Sequence, residues 1–302
     1  MIYKLMWQSV YVTLASWAFY ACPCKAAAHM MRISNESPKV IDVFMFNGEP
    51  MAFYRLHHLR EVVDLFVVVE ATTTFSGRKK DVTNAKYHQI FVQLEKMGKM
   101  LRLFIDENEM PRFRRPFERE KYVRDYPLSR IITHMKGRPY ILMVCDGDEL
   151  PDRRFVQNLP RVYDILDQPI SLDMSNHYYS FNWTYNFRWA SAYVVNDRKL
   201  TNASSLDAMR DVRRRRHRRF EKAGWHCSYC MSPEMMITKL TQFSHTDYDH
   251  PLFKNTTRIK LFRERGLDLF GREGAEYKMY HDVNEDNLPQ DRHVLDILIE
   301  FV

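Results

Sequence analysis

Repeats and low-complexity tracts are missing from this sequence, apart from one dense run of arginines. Solenoids, propellers and fibrous arrays, which all need a repeating unit, are thereby excluded. Cysteine is scarce: Cys22 and Cys24 lie near the N-terminus, Cys145 stands alone, and Cys227 and Cys230 form a single C-x-x-C. One such pair without a second does not make a structural zinc site, and five cysteines are too few for a disulfide scaffold. Cys227 and Cys230 remain open between a disulfide and two buried thiols. Broadly spread positive charge is also absent. The formal net charge is +7, but Arg213 to Arg216, Arg218 and Arg219 supply six of those charges, and 7 − 6 leaves +1 for everything else. A nucleic-acid binder spreads basic surface along a face or groove. The balance here allows one local anionic contact, and a solvated loop is the plainer reading of the run.

What is present is enough for a full core: 302 residues, 45% hydrophobic and 14% aromatic, which excludes a disordered chain. Lys4 precedes an apolar stretch over residues 5–21, interrupted only by Gln8, Ser9, Thr13 and Ser16. The stretch is at the short limit for a membrane span and long for a cleaved signal, and Ala26-Ala-Ala offers a cleavage site. Residues 1–31 are therefore expected to be a signal-anchor or signal peptide, 32–39 a short linker, and 40–302 the catalytic domain. Four N-x-S/T sequons, at Asn35, Asn182, Asn202 and Asn255, agree with a luminal address. Asn182 sits in an aromatic run and is expected to be buried.

From residue 40 onwards, apolar strands and helix-spaced segments alternate. Strands are expected at 40–46, 65–69, 100–105 and 140–145, with helices at 51–63, 85–96 and 117–135 between them. Beyond Pro169 the pattern becomes more β-like, and helices return at 233–241 and 257–265. Repeated βα units predict an α/β fold with a mainly parallel central sheet and helices on both faces. Ligands of such sheets bind outside the carboxyl ends of the strands. Polar residues gather there: Asn47 and Glu49 after the first strand, Glu70 ending the second, and Asp146-Gly-Asp-Glu after 140–145.

Asp146 and Asp148 are two residues apart, so in extended backbone both carboxylates face one side. Hard cations take such carboxylates together with substrate phosphate oxygens, and Mn²⁺ also accepts an imidazole. The remaining ligands of an EF-hand loop are absent. Trp225 offers a flat ring to a sugar, His226 a metal or phosphate contact, and His245 a third metal ligand or a diphosphate contact.

Four motifs occur in order: Ile41-Asp-Val-Phe-Met-Phe-Asn-Gly-Glu, Val67-Val-Val-Glu-Ala-Thr-Thr-Thr-Phe-Ser-Gly, Asp146-Gly-Asp-Glu-Leu-Pro and Gly224-Trp-His-Cys-Ser-Tyr-Cys. With Phe187-Arg-Trp-Ala-Ser and Lys239-Leu-Thr-Gln-Phe-Ser-His they resemble glycosyltransferase family 17 over residues 40–280. The resemblance implies a GT-A-type nucleotide-sugar-binding fold, type II topology in a Golgi or other secretory-pathway membrane, UDP-GlcNAc as donor, and Mn²⁺ as the metal, with Mg²⁺ as the alternative. It further implies an inverting transfer of N-acetylglucosamine to a mannose-containing, N-glycan-like acceptor. Under it, Asn47, Glu70, Asp146, Trp225 and His226 are expected on the donor. Asp146, Asp148 and His245 are expected on the metal. Glu234, Asp247 and Asp249 are candidate bases by their place after the Trp225-His226 motif. Two other classes remain: a non-catalytic glycan- or nucleotide-sugar-binding module, which has no need of an intact Asp146-Gly-Asp, and an anion binder acting through the arginine run, which the near-neutral remainder disfavours.

Overall fold

The computed structural model describes residues 36–80, 88–210, 218–274, 277–279 and 288–300. The expected leader, the Asn35 sequon, Cys22, Cys24 and Arg213 to Arg216 lie outside the described residues. The first half runs β1 (Lys39–Met45), α1 (Pro50–Leu59), β2 (Leu65–Ala71), α2 (His88–Lys96), β3 (Met100–Ile105), α3 (Pro116–Asp125), α4 (Leu128–Met135) and β4 (Tyr140–Cys145). It continues through β5 (Glu149–Pro151), α5 (Arg153–Asn158), β6 (Ile170–Tyr178), β7 (Ser180–Tyr185), β8 (Tyr193–Asn196) and α6 (Leu206–Met209). The last part is β9 (Arg219–Ser228), α7 (Pro233–Gln242), α8 (Thr256–Arg265), β10 (Tyr277–Met279) and α9 (His293–Glu300).

The ten strands form one sheet in the order β10-β7-β6-β8-β4-β1-β2-β3, with β9 paired to β6 and β5. β1 pairs in parallel with both β2 and β4, and β2 with β3. This is the outcome of the βα alternation in the first half: β2 and β4 are buried along their whole length, as strands covered on both faces must be. Past β4 the pairings β4–β8, β8–β6, β6–β7 and β7–β10 are antiparallel, so the sheet as a whole is mixed. The α/β class is the one expected, with the parallel part confined to the first half and the β6–β9 pair.

Period-2 alternation divides the core between two faces. Val40, Phe44, Phe66 and Val68 pack with Phe53 and Leu56 of α1 and Phe91 and Leu94 of α2. Ile41, Val43, Leu65 and Val67 face the other way, onto Leu128, Ile131 and Met135 of α4. The helix expected over 117–135 is two helices, because Pro127 has no amide hydrogen to continue the ladder. Arg55 of α1 is wholly buried, with its Nε 2.7 Å from Asp42 Oδ2 on β1, and its Nη1 donates to the carbonyl of Glu149. The ion pair sits inside the core and ties α1 to β1, and the Glu149 contact ties α1 to the start of β5. Asn182 is exposed, against expectation, because its strand β7 lies near the sheet edge and turns that residue outward; Asn202 and Asn255 are exposed as well. Among the described residues no helix is long and apolar enough to cross a membrane.

Candidate active site

β4 brings a run of apolar residues to Cys145, and the chain then turns. Glu149 N donates to the Asp146 carbonyl, 3.1 Å, which closes the turn over Gly147. A side chain at Gly147 would meet the Met45 carbonyl at 3.3 Å, so the turn lies close against β1. The next three residues, β5, pair antiparallel with Gly224 to His226 of β9. Gly224 is required at that crossing: its φ is +150°, and a Cβ there would stand 2.2 Å from the Leu150 carbonyl. Asp148 is fixed from the same side, its carbonyl accepting from Cys227 N at 2.9 Å. The D-x-D turn is thus held between β1, β4 and β9.

A cleft of about 770 Å³ opens over this turn at the carboxyl ends of the parallel strands. Asp146 accepts from Arg210, 2.7 Å, and from Arg124, 3.1 Å. Burial opposes its charge, but the Arg210 and Arg124 guanidiniums outweigh burial and hold its carboxyl below the usual carboxylate range. Asp148 accepts from Lys239 Nζ at 2.8 Å through Oδ2, while Oδ1 lies 3.7 Å from His226 Nε2. Its carboxyl is also lowered against burial, chiefly by Lys239. Beneath both lies Glu149, fully buried. It accepts from Asp146 N and from Trp189 Nε1, each at 2.6 Å, and from Arg210 at 3.1 and 3.3 Å.

His226 is positioned on three sides. Trp189 stacks on its ring, with centroids 3.9 Å apart and planes 6° from parallel. Its Nδ1 is 2.8 Å from Asn176 Oδ1, and Ser228 Oγ is 3.3 Å from Nε2. Asn176 Oδ1 only accepts, which assigns the ring proton to Nδ1 and leaves a lone pair on Nε2. Burial lowers the His226 pKa more than Asp148 and Glu149 raise it, so the ring is neutral. The residues present fit a divalent cation. Asp148 Oδ1 and a neutral Nε2 face each other, and the other imidazole nitrogen is locked by an acceptor, as in metal-ligating histidines. Mg²⁺-like sites keep one or two protein ligands and complete their shell with water and substrate phosphate. Among the described residues no cluster of three or more His, Cys, Asp or Glu holds a metal unaided.

Of the expected site residues, the cleft brings together Asn47, Asp146, Asp148, His226 and His245. Asn47 donates to Gln242 at 2.8 Å and accepts from Lys80 at 2.5 Å, linking the end of β1 to α7. His245 lies among rings, 5.0 Å from Phe117 and 5.6 Å from Phe243. The pairing that faces Asp148 is therefore with His226. Trp225 and Glu70 do not line the cleft. On an extended strand neighbours point to opposite faces. His226 and Ser228 face the cleft, so Trp225 and Cys227 turn into the core with Tyr54 and Leu150. Val69 and Ala71 of β2 line the cleft and Glu70 between them does not; its carboxylate lies 3.9 Å from Lys80, which is on the lining, and 4.0 Å from Arg102. The three candidate bases also lie off the lining: Glu234 and Asp247 are exposed, and Asp249 pairs with Arg78 and Lys254. Glu234 stands in the first turn of α7, whose other end supplies Lys239 to the cleft.

Sequence reasoning passed over Arg124, Arg210, Glu149, Lys239 and Trp189 as site residues. Trp189 and Lys239 stood inside recognised motifs. Arg124 and Arg210 carried no signal among 45 lysines and arginines. Cys227 and Cys230 form a disulfide, which closes the turn bearing Ser228 and Tyr229; Tyr229 has φ +56° and lines the cleft.

The Pyrobaculum calidifontis mannosyltransferase solved with GDP-Man and Mn²⁺ superposes with a TM-score of 0.36 and 12% identity, covering 76% of this chain and 70% of that one. That likeness carries no argument. The β-1,4-mannosyl-glycoprotein 4-β-N-acetylglucosaminyltransferase of Homo sapiens is 26% identical over 251 residues, and that of Mus musculus 25% identical over 249. Each match covers 72% of this chain and 45% of the relative, so the chain spans less than half the length of these curated relatives. The model of glycosyltransferase family 17 matches residues 16–295. The chain therefore belongs to glycosyltransferase family 17.

Proposed function

We propose that the protein is an inverting glycosyltransferase that moves N-acetylglucosamine from UDP-GlcNAc to a mannose-containing, N-glycan-like acceptor, using Mn²⁺ or Mg²⁺. The observation that carries this reading is the intact Asp146-Gly-Asp148 turn on the floor of a cleft whose charges cancel. Five basic side chains line it, Lys80, Arg124, Arg210, Lys239 and Arg272, against five acidic ones, Glu49, Glu120, Asp146, Asp148 and Asp207. A nucleotide-sugar brings a negative charge on each phosphate, and a divalent cation restores the balance.

Asp148 and His226 are the residues that would hold the cation, which when bound offsets the charge growing on the diphosphate leaving group. Asp146 and Glu149 keep Arg210 in place, and Asp146, Glu120 and Asp207 keep Arg124. The acceptor hydroxyl needs a base within hydrogen-bond reach. Of the carboxylates on the lining, Glu49 alone makes no ion pair among the described residues; its Oε2 accepts from Asn47 N at 2.9 Å. It is the base in this reading. The donor and acceptor come from the names of the curated relatives and remain part of the proposal. The apolar stretch at 5–21 and the exposed sequons at Asn182, Asn202 and Asn255 support a type II protein with a luminal catalytic domain in a Golgi or other secretory membrane.

The test is transfer of labelled GlcNAc to a mannose-terminated N-glycan, with Mn²⁺ or with chelator, by the full chain and by Asp148→Ala. Metal-dependent transfer that Asp148→Ala abolishes supports the reading. Nucleotide-sugar binding without transfer to any acceptor would favour a non-catalytic module.

A further inference from the structure

We propose that Lys239 is an exchangeable counter-ion: it neutralises Asp148 in the free protein and turns to the donor's diphosphate when a divalent cation is bound at Asp148. The inference rests on the transferase reading above and deepens it.

The three cations around the D-x-D turn are not equally committed. Arg124 is shared by Glu120, Asp146 and Asp207, and Arg210 by Asp146 and Glu149. Lys239 makes its ion pair with Asp148 alone among the described residues, at 2.8 Å. An ammonium carries three donors on a flexible stem, so this group has hydrogens left to offer and freedom to turn. Its side chain is 18% exposed and borders the cleft, with the Tyr229 ring 5.4 Å from Nζ as an apolar wall.

On the same carboxylate, Oδ1 faces the lone pair of His226 Nε2, the ring being fixed through Nδ1 on Asn176. One carboxylate therefore serves two positive charges, an ammonium on Oδ2 and a metal position beside Oδ1. Like charges on one carboxylate compete. A divalent cation alone is opposed by Lys239, and a diphosphate that draws Lys239 off Asp148 removes the opposition. Linkage then requires each of the two ligands to tighten the other by the same factor.

The experiment is Mn²⁺ titration followed by electron paramagnetic resonance, and UDP titration by calorimetry, on the full chain as wild type, Lys239→Met and Lys239→Arg. Met keeps the length and helix propensity of the stem, so folding of α7 is retained. Wild type is expected to bind Mn²⁺ more tightly with UDP present than without it. Lys239→Met should bind Mn²⁺ alone about thirtyfold or more tighter, the water limit for removing a unit charge about 4 Å from a divalent cation. The same variant should bind UDP with Mn²⁺ about fivefold or more weaker, and lose most of the coupling. Lys239→Arg, which keeps the charge, should match wild type for Mn²⁺ alone. Opposite signs for the two ligands are what a merely structural lysine would not produce. Unchanged or weaker Mn²⁺ binding by Lys239→Met, with wild type binding both ligands, overturns this inference and leaves the transferase reading standing. Failure of wild type to bind either Mn²⁺ or UDP overturns both.

Discussion

Glu149 has the most partners of any carboxylate in the cleft floor, and truncating it tests whether the D-x-D turn is held as described. In Glu149→Ala, the amide of Asp146 and the indole of Trp189 each lose an acceptor at 2.6 Å, and Arg210 loses one of its two carboxylates. Each orphaned buried donor costs about 1–3 kcal/mol, and breaking a buried ion pair about 3–5 kcal/mol. These terms overlap, since Arg210 keeps Asp146, so the expected loss of stability is about 4 kcal/mol. At roughly 2 °C per kcal/mol for a chain of this size, that lowers Tm by about 8 °C. Glu149→Gln keeps the volume and one acceptor but turns an NH₂ toward donors, and should lose about half as much. Thermal unfolding by circular dichroism and urea titration reads both. A loss below about 1 kcal/mol for Glu149→Ala would show that these hydrogen bonds do not hold the site together.

The disposition of the two tryptophans can be checked directly: Trp225→Phe should change UDP-GlcNAc affinity by less than about twofold, while Trp189→Ala, which unstacks His226, should weaken it by about tenfold or more. Equal effects from the two would contradict the strand phase assigned to β9. Acid should destabilise the fold through His177, whose pKa burial pushes down to about 4. A histidine depressed in the folded state stabilises it above the unfolded value and loses that contribution as pH falls toward the folded one. Unfolding free energy should thus drop by about 3 kcal/mol between pH 6.5 and 4, a drop that His177→Gln removes in a urea series. Cys227→Ser with Cys230→Ser opens a short loop, with an expected cost of about 2 kcal/mol by chain entropy. Because Tyr229 in that turn is left-handed and lines the cleft, UDP affinity should fall with it; unchanged affinity would separate the disulfide from the site.

Sequence periodicity located the parallel half of the sheet to within a few residues, since β1 to β4 are apolar runs between helix-spaced segments. It also placed Asp146 and Asp148 at a strand end, which is where open α/β sheets bind ligands. What periodicity left open was phase. Trp225 and His226 are adjacent, and only the pairing of β9 with β5 decides which faces the cleft. The same alternation turned Glu70 inward between Val69 and Ala71. Glu234, Asp247 and Asp249 follow the Trp225-His226 motif along the chain. They fall on the far end of α7 and on an outward loop, because a ten-residue helix carries its two ends to different surroundings. Arg124 and Arg210 reach Asp146 from α3 and from the end of α6, a convergence of distant segments that no local pattern records.

The central claim is that this family 17 cleft binds a nucleotide-sugar with a divalent cation at Asp148. Calorimetric titration of UDP-GlcNAc into the full chain, with Mn²⁺ and with chelator, on wild type and Asp148→Asn, tests it most directly. The account predicts binding by wild type that weakens about tenfold or more without metal, and the same weakening in Asp148→Asn even with metal present. Equal binding in all four titrations, or none by folded wild type, would contradict it.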